Sequence, residues 1–323
     1  MVDYPRWAIL PSYTLNYYTG MLREALWNAT KQYSDVTHAL VSGGLDSSIA
    51  AYLVWKLGVR FKGILVSLEE GTPTDLMYSH RLAKYLGIEL VHIAVGVDET
   101  LKLMEDVIKI LATFDPMEVV NSTAIYTALK YVEEDGGIAV LTGDGADELF
   151  AGYSYMHEMD YESLENYIEH LTRIWRFSSI DLAKPLGLEI RTPYLEPKVV
   201  EVSLKIPARL KVVKIGNRTV GKYVLRKAFE NYLPQEIIWR DKHPIEQGSG
   251  FNILYRVLEE LSKGLKKPSN IRFWGKAQPY LYKIFTKYHK IRKPSVGEKR
   301  CPYCGSGIPR YTRYCRVCGA YPV

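Results

Sequence analysis

A short apolar run, Thr37-His38-Ala39-Leu40-Val41, breaks into Ser42-Gly43-Gly44, and Asp46-Ser47-Ser48 then caps a helical stretch reaching about Leu57. This strand, loop and helix unit constrains the fold more than any other feature of the chain. A helix N-terminus presents unpaired N–H groups at the positive end of its dipole, and glycine lets a phosphate approach that backbone closely. The alternation continues with a strand near Gly63 to Ser67, a helix near Asp75 to Leu86, a strand near Glu89 to Ala94 and helical segments from about Glu99 to Leu111 and Thr123 to Glu133. A last strand, Ile138-Ala139-Val140-Leu141, runs into Thr142-Gly143-Asp144-Gly145. Strands separated by helices predict an α/β fold, a parallel sheet flanked by helices, with ligands at the carboxyl ends of the strands. Both glycine-rich loops fall at such ends. Beyond Tyr153 helical periodicity dominates, through Leu164 to Trp175, Lys198 to Leu204 and Lys222 to Tyr232, which predicts a helical second half.

Asp46 would repel a bare phosphate, so its place in the first loop makes sense if Mg²⁺ bridges the carboxylate to pyrophosphate oxygens, a role suited to a hard, oxygen-preferring cation. The alternative is a structural turn with a capping Ser or Asp. Gly216-Asn217-Arg218-Thr219-Val220-Gly221-Lys222-Tyr223 nearly spells a Walker A loop, but Tyr223 cannot place a hydroxyl where Ser or Thr must meet Mg²⁺. Lys211 to Lys214 is also a weak candidate for the central strand such a loop requires. Lys222 and Arg226, one helical turn apart, can still aim positive charge at the site.

All four cysteines lie near the C-terminus, as Cys301-Pro302-Tyr303-Cys304 and Cys315-Arg316-Val317-Cys318. Two C-x-x-C pairs at that spacing predict a zinc ribbon with four thiolates around Zn²⁺, a closed site that holds structure and leaves no position open for catalysis. The tail is also strongly basic. From Leu261 to Val323 there are 15 Lys and Arg against a single acid, Glu298, a surplus of +14 that leaves −8 for the rest of a chain whose net charge is +6. Phe273, Trp274, Tyr280, Tyr282, Phe285 and Tyr288 interleave with those charges, either to stack on bases and neutralise phosphates or to pack as the apolar face of a solvated helix. No apolar run approaches the length of a membrane span. Met1 to Trp7 lacks the basic start and apolar core of a signal peptide, so the expected location is the cytoplasm.

The first loop resembles the pyrophosphatase loop of the N-type ATP pyrophosphatases. Thr142-Gly143-Asp144-Gly145-Ala146-Asp147-Glu148-Leu149-Phe150-Ala151-Gly152-Tyr153 is similar to the second signature of the synthetase domain of the asparagine synthetases. The similarity continues through Leu188 to Leu195, Gly221 to Arg226 and Trp239-Arg240-Asp241-Lys242 as far as Gly250-Phe251, covering roughly residues 15 to 255. It implies an adenine-nucleotide alpha-hydrolase-like fold and adenylation: a carboxylate attacks the α-phosphorus of ATP, pyrophosphate leaves, and an amine displaces AMP to give an amide. By motif, Ser42, Gly43, Gly44, Asp46, Ser47 and Ser48 hold pyrophosphate, Leu40 and Val66 meet adenine and ribose, and Thr142 and Gly143 line the AMP side. Asp147 shares Mg²⁺ with Asp46, Lys242 neutralises the departing pyrophosphate, and Asp144 and Tyr153 lie near the acyl group. The ordinary alternatives are a surface lysine at 242, a packed aromatic at 153 and a helix cap at 147.

The departures from the family pattern are as informative. Asparagine synthetases begin with a glutaminase domain that uses an N-terminal Cys; here fewer than 40 residues precede the first strand, position 2 is Val2 and no cysteine precedes Cys301. Ammonia, an amine or a separate glutaminase subunit is then expected to supply nitrogen. Asp144 stands where the family often carries Glu, and Phe177 to Leu182 lacks the Arg or Asp-Arg that family members usually place thereabouts to grip the substrate carboxylate or orient the acyl group, Arg176 and Lys184 being out of register. The expected domains are 1–255 (ATP pyrophosphatase), 256–298 (basic helical segment and linker) and 299–323 (zinc ribbon). Two functions stay open: an amide ligase acting on a small carboxylate such as aspartate, and an ATP-dependent enzyme that modifies tRNA gripped by the basic, zinc-bearing tail. A binding-only protein fits less well, because the phosphate residues are intact.

Overall fold

A computed structural model describes residues 12–323, so the N-terminal reading at Met1 to Trp7 falls outside the described residues. Helix α1 (Ser12–Thr30) leads into β1 (Val36–Leu40), α2 (Leu45–Lys56), β2 (Lys62–Leu68), α3 (Asp75–Leu86), β3 (Leu90–Val95), α4 (Val97–Leu111) and α5 (Pro116–Glu134). Next come β4 (Ala139–Leu141), α6 (Ala146–Phe150), α7 (Tyr161–Ile174), α8 (Ser178–Ala183) and β5 (Glu189–Arg191). Strands β1 to β5 form one parallel sheet in the order β3-β2-β1-β4-β5. In β2 every residue from Gly63 to Leu68 is buried, as a strand covered by helices on both faces requires. The chain leaves β1 toward β2 and β3, then returns to the other side of β1 for β4 and β5. The crevice between the carboxyl ends of β1 and β4 is therefore the switch point of the topology.

The helical second half comprises α9 (Pro197–Lys205), α10 (Ala208–Lys211), α11 (Tyr223–Phe229), α12 (Gln235–Ile238), α13 (Ile245–Gly248), α14 (Leu254–Ser262) and α15 (Gln278–Tyr288). It contains a two-stranded hairpin, β6 (Val213–Ile215) with β7 (Arg218–Val220), which is a sheet of its own, so the Walker-like stretch follows no strand of the main sheet. A second hairpin, β8 (Glu298–Arg300) with β9 (Gly307–Pro309), opens the cysteine-bearing module. Among the described residues no helix is long and apolar enough to cross a membrane.

The tail packs into the body. Leu281, Ile284 and Phe285 of α15 and all four cysteines belong to the same buried cluster as Val66, Phe114 and Leu129. The Phe285 and Tyr282 rings both lie 5.2 Å from the Phe114 ring. Of the interleaved aromatics, these two therefore serve as the packed face of a helix, while Trp274 and Tyr288 remain exposed.

Candidate active site

The first loop leaves β1 at Val41, whose N–H donates to Ile64 O at 2.9 Å. Gly43 has φ +66°, and a Cβ on it would stand 2.5 Å from the Tyr78 backbone, so only glycine lets the loop press onto α3. The sequence placed Asp46, Ser47 and Ser48 as the cap of the following helix; the N-cap is Gly44, and no side chain caps α2. Those three residues instead form the first turn, leaving its N–H groups free of a side-chain partner. Ser42 Oγ accepts from Gly44 N and contacts Ser47 Oγ, each at 3.2 Å, which orients both hydroxyls at the helix entrance.

The second loop follows β4, where Thr142 N donates to Arg191 O at 2.9 Å. Asp144 Oδ2 accepts from Thr142 Oγ1 at 2.8 Å and from Ser179 Oγ at 2.5 Å, the latter reaching in from α8. Burial pushes the Asp144 carboxyl above its ordinary value against the pull of those hydroxyls, and the charges of Asp147 and Asp46 push the same way.

Lys222 joins the two loops. It lies 3% exposed at the start of α11, in a left-handed conformation with φ +56°, fixed by its N–H donating to Phe150 O at 2.9 Å. Its ammonium donates to Asp46 Oδ2. Asp147 Oδ1 lies 2.5 Å from the same nitrogen, a charge contact outside hydrogen-bond geometry. Asp147 Oδ2 accepts from Lys242 Nζ at 2.5 Å. Burial opposes ionisation of Asp147, but Lys222 and Lys242 together outweigh it and hold the carboxyl well below the usual range. With Lys222 as its main counterweight, Asp46 is dominated by burial and moves up. Lys242 is held above its ordinary value, because Asp147 and Asp46 outweigh the cost of partial burial. Its ammonium lies 5.8 Å from the centre of the Tyr153 ring, and Tyr153 donates to Glu148 Oε1 at 2.6 Å.

These groups surround a cleft of about 240 Å³. Of the sequence-predicted residues, Leu40, Ser42, Gly44, Asp46, Ser47, Val66, Thr142, Gly143, Asp144, Asp147 and Lys242 line it. Gly43, Ser48 and Tyr153 do not: Gly43 packs on Tyr78, Ser48 is buried, and Tyr153 stands behind Lys242. Sequence reasoning passed over Arg240, which donates to Ser42 O at 2.9 Å and Asp75 Oδ1 at 2.5 Å and so clamps the first loop. It also passed over Ser179, whose setting of Phe177-Ser178-Ser179 gives no signal; Arg240 lies in the flagged Trp239-to-Lys242 stretch. Arg176 and Lys184 both pair with Asp181, away from the cleft. Asp46 Oδ1 is buried with no hydrogen-bond partner, a state that costs free energy unless a ligand or cation meets it. Two loop carboxylates with one oxygen so placed fit a hard cation such as Mg²⁺.

The Sγ atoms of Cys301, Cys304, Cys315 and Cys318 lie within 4.8 Å of one another, with Cys301–Cys318 at 3.8 Å and Cys304–Cys315 at 3.7 Å. A tetrahedron with metal–sulfur bonds of about 2.3 Å has edges of about 3.8 Å, so the four thiols fit zinc. They are too far apart for disulfides.

The asparagine synthase family profile matches residues 21–184 and 181–273. Asparagine synthetase B (glutamine-hydrolyzing) of Escherichia coli K12 is 32% identical over 252 residues, 72% of this chain and 45% of its own length. The glutamine-hydrolyzing asparagine synthetase of Gallus gallus is 30% identical over 277 residues, 78% of this chain and 49% of its own. The chain thus spans about half the length of the curated relatives it matches. Among solved structures, NMN synthetase from Francisella tularensis is 17% identical with a TM-score of 0.33, covering 87% of this chain and 98% of that one.

Proposed function

Because this chain belongs to the asparagine synthase family, we propose that it is an ATP-dependent carbon–nitrogen ligase. A carboxylate oxygen attacks the α-phosphorus of ATP and pyrophosphate leaves; ammonia or an amine then attacks the acyl carbon, AMP leaves, and an amide forms. The observation that carries this reading is the meeting of Asp46 and Asp147, from separate strand-end loops, on one buried lysine beside an uncapped helix N-terminus.

In this reading Ser42, Gly44 and Ser47 hold the pyrophosphate end of the nucleotide, Gly43 and the buried Ser48 shape the loop and helix start behind them, and the free N–H groups at the α2 entrance donate to its oxygens. Leu40 and Val66 flank adenine and ribose, and Thr142 and Gly143 line the AMP side. Asp46 and Asp147 would hold Mg²⁺, which when bound supplies positive charge to the phosphate oxygens. Lys242, reaching the cleft from the chain beyond α12, brings its ammonium to the leaving pyrophosphate, an interaction whose removal costs about 100- to 1,000-fold in rate in comparable sites. Tyr153 and Glu148 limit where that ammonium can go. Asp144, raised by burial, is suited to take a proton from the attacking amine, with Thr142 and Ser179 fixing its orientation. Residues 1–255 form the catalytic unit, 256–298 a basic helical segment and 299–323 a ribbon that binds Zn²⁺ for structure.

The acceptor is a small carboxylate such as aspartate, and nitrogen comes from ammonia, an amine or a separate glutaminase subunit. No cysteine of this sequence precedes Cys301, so a cysteine nucleophile for glutamine hydrolysis is missing from the matched region. The test is to supply ATP, Mg²⁺, ammonia and a panel of amino acids and to follow acceptor-dependent pyrophosphate. Release of ADP and phosphate instead would end this reading.

A tRNA-directed version draws on the +14 surplus after Leu261. Lys266, Lys267, Lys290 and Lys293 lie on the surface, so their charge is available to a phosphate backbone. Deleting the tail would uncover the core that it packs against, so the cleaner test reverses these four charges. Salt-sensitive tRNA binding that the reversal abolishes favours this version, and unchanged binding removes it.

A further inference from the structure

A second cavity, of about 230 Å³, opens where the second cysteine knuckle meets the corner between α4 and α5. Its walls include Thr113 and Glu118 from the body, Arg176 and Ser178 from the approach to α8, and Tyr314 and Arg316 from the knuckle. Hydrogen bonds tie these walls to one another. Thr113 Oγ1 donates to Arg316 O at 2.9 Å and Phe114 N donates to Val317 O at 2.8 Å, which locks the knuckle to the body. Arg316 Nη2 donates to Ile174 O at 2.7 Å, tying the knuckle to the end of α7, and Arg176 Nε donates to Asp181 Oδ2 at 2.5 Å.

The charges that face this space do not pair with one another. Glu118 accepts from the Ser122 hydroxyl at 3.2 Å, and among the described residues it makes no ion pair. Burial and the neighbouring Asp115 push its carboxyl up, and the Arg176 charge across the cavity offsets only part of that. Arg176 engages a carboxylate only through Nε, and Arg316 binds a carbonyl only through Nη2, so both guanidinium groups keep donors in reserve. A carboxylate and two guanidinium groups held apart across one small cavity are complementary to a molecule carrying an ammonium and a carboxylate together. Inorganic phosphate would meet the Glu118 carboxylate, and a diamine would meet two guanidinium groups.

We propose that this cavity binds a single free α-amino acid, its ammonium at Glu118 and its carboxylate at Arg176 and Arg316. The site is separate from the ATP cleft but adjoins it through α8: Ser178 faces this cavity, and the next residue, Ser179, donates to Asp144. Ligand chemistry here does not depend on the reaction at Asp144.

The test uses the full, zinc-loaded chain, screened against the common L-amino acids, inorganic phosphate and putrescine by ligand-observed NMR and then calorimetry. One amino acid or a small related group is expected to bind. Glu118→Gln and Arg316→Gln are each expected to weaken that binding at least tenfold, while ATP affinity and zinc content stay unchanged. Because Arg316 also ties down the knuckle, Arg176→Gln on the body provides a second variant with the same expectation. Absence of amino-acid binding, preference for phosphate or putrescine, or binding that survives all three variants and is lost in Asp144→Asn would overturn the assignment.

Discussion

Gly143 lies against Asp46 so closely that a Cβ on Gly143 would stand 2.9 Å from the Asp46 Cβ and 2.9 Å from Ser47 N. The two strand-end loops therefore touch through a missing side chain, and that contact lets Lys222 span Asp46 and Asp147. Neighbouring parallel strands set the distance between the loops, with Ala39 opposite Leu141, and glycine closes what remains.

Gly143→Ala adds the methyl group that this contact excludes. The loops must part by several tenths of an ångström, at a cost of about 1–3 kcal/mol typical of overpacking. ATP affinity is expected to fall with the melting temperature. Gly136→Ala, at a position where no atom lies within 4 Å, controls for glycine loss away from the site, although its φ of +75° adds backbone strain. Unaltered nucleotide affinity in Gly143→Ala would separate the loop contact from binding.

Asp46→Asn and Asp147→Asn are both expected to abolish conversion of ATP to AMP and pyrophosphate while circular dichroism still reports a folded chain. Their stabilities should differ. Two lysines hold the Asp147 carboxyl well below the usual range, whereas burial moves Asp46 up, so Asp147→Asn removes the more strongly stabilised of the two charges. Removing one partner of a buried pair costs about 3–5 kcal/mol, so Asp147→Asn should melt lower than Asp46→Asn. Equal melting temperatures with activity retained would count against both the pairing and its role.

The strands with sustained apolar runs were legible: β1, β2 and β3 lie within a residue or two of their expected spans, and α3 spans the residues expected. Strand β5 was not, because Glu189-Ile190-Arg191 is a three-residue edge with one apolar side chain, too short to show a period of two. In the site, Asp46 and Asp147 could be paired from loop chemistry. Lys222 reads in the sequence only as one of two charges aimed at the site, because its central place depends on a left-handed backbone at the start of α11 that no sequence period encodes. Ser179 carried no signal, since a serine beside another serine is ordinary until the fold sets it on Asp144.

Removing the zinc proposed for the four thiols should unfold more than the ribbon. The four cysteines share a buried cluster with Phe114, Leu281 and Phe285, and both Trp274 Nε1 and Gln278 Nε2 donate to Cys318 O at 2.7 Å. A chelator strong enough to strip a structural site should therefore lower the melting temperature of the whole chain in one cooperative transition, and Cys304→Ser should do the same. Calorimetry that resolves an early ribbon transition with the main one unmoved would show that the ribbon is independent.

Lys211, 1% exposed at the end of α10, gives a pH signature of its own. Burial pulls its ammonium down to about 7, and the charge of Glu165 recovers only part of the loss. Glu165 is held elsewhere, its Oε1 accepting from Ala208 N at 2.8 Å. Below about pH 7 folding must bury this lysine charged, and between about 7 and 10.5 the unfolded chain binds a proton that the folded chain has released, so stability rises with pH across that window. The penalty is complete below the window and absent above it. Lys211→Met keeps most of the packed stem and removes the charge, so at pH 7 it should raise the unfolding free energy by several kcal/mol, on the order of 4. Its denaturation midpoint should also lack the upward slope expected of the unmutated protein between pH 7 and 10. Parallel pH profiles for the two proteins would mean that the Lys211 ammonium reaches water in the folded state.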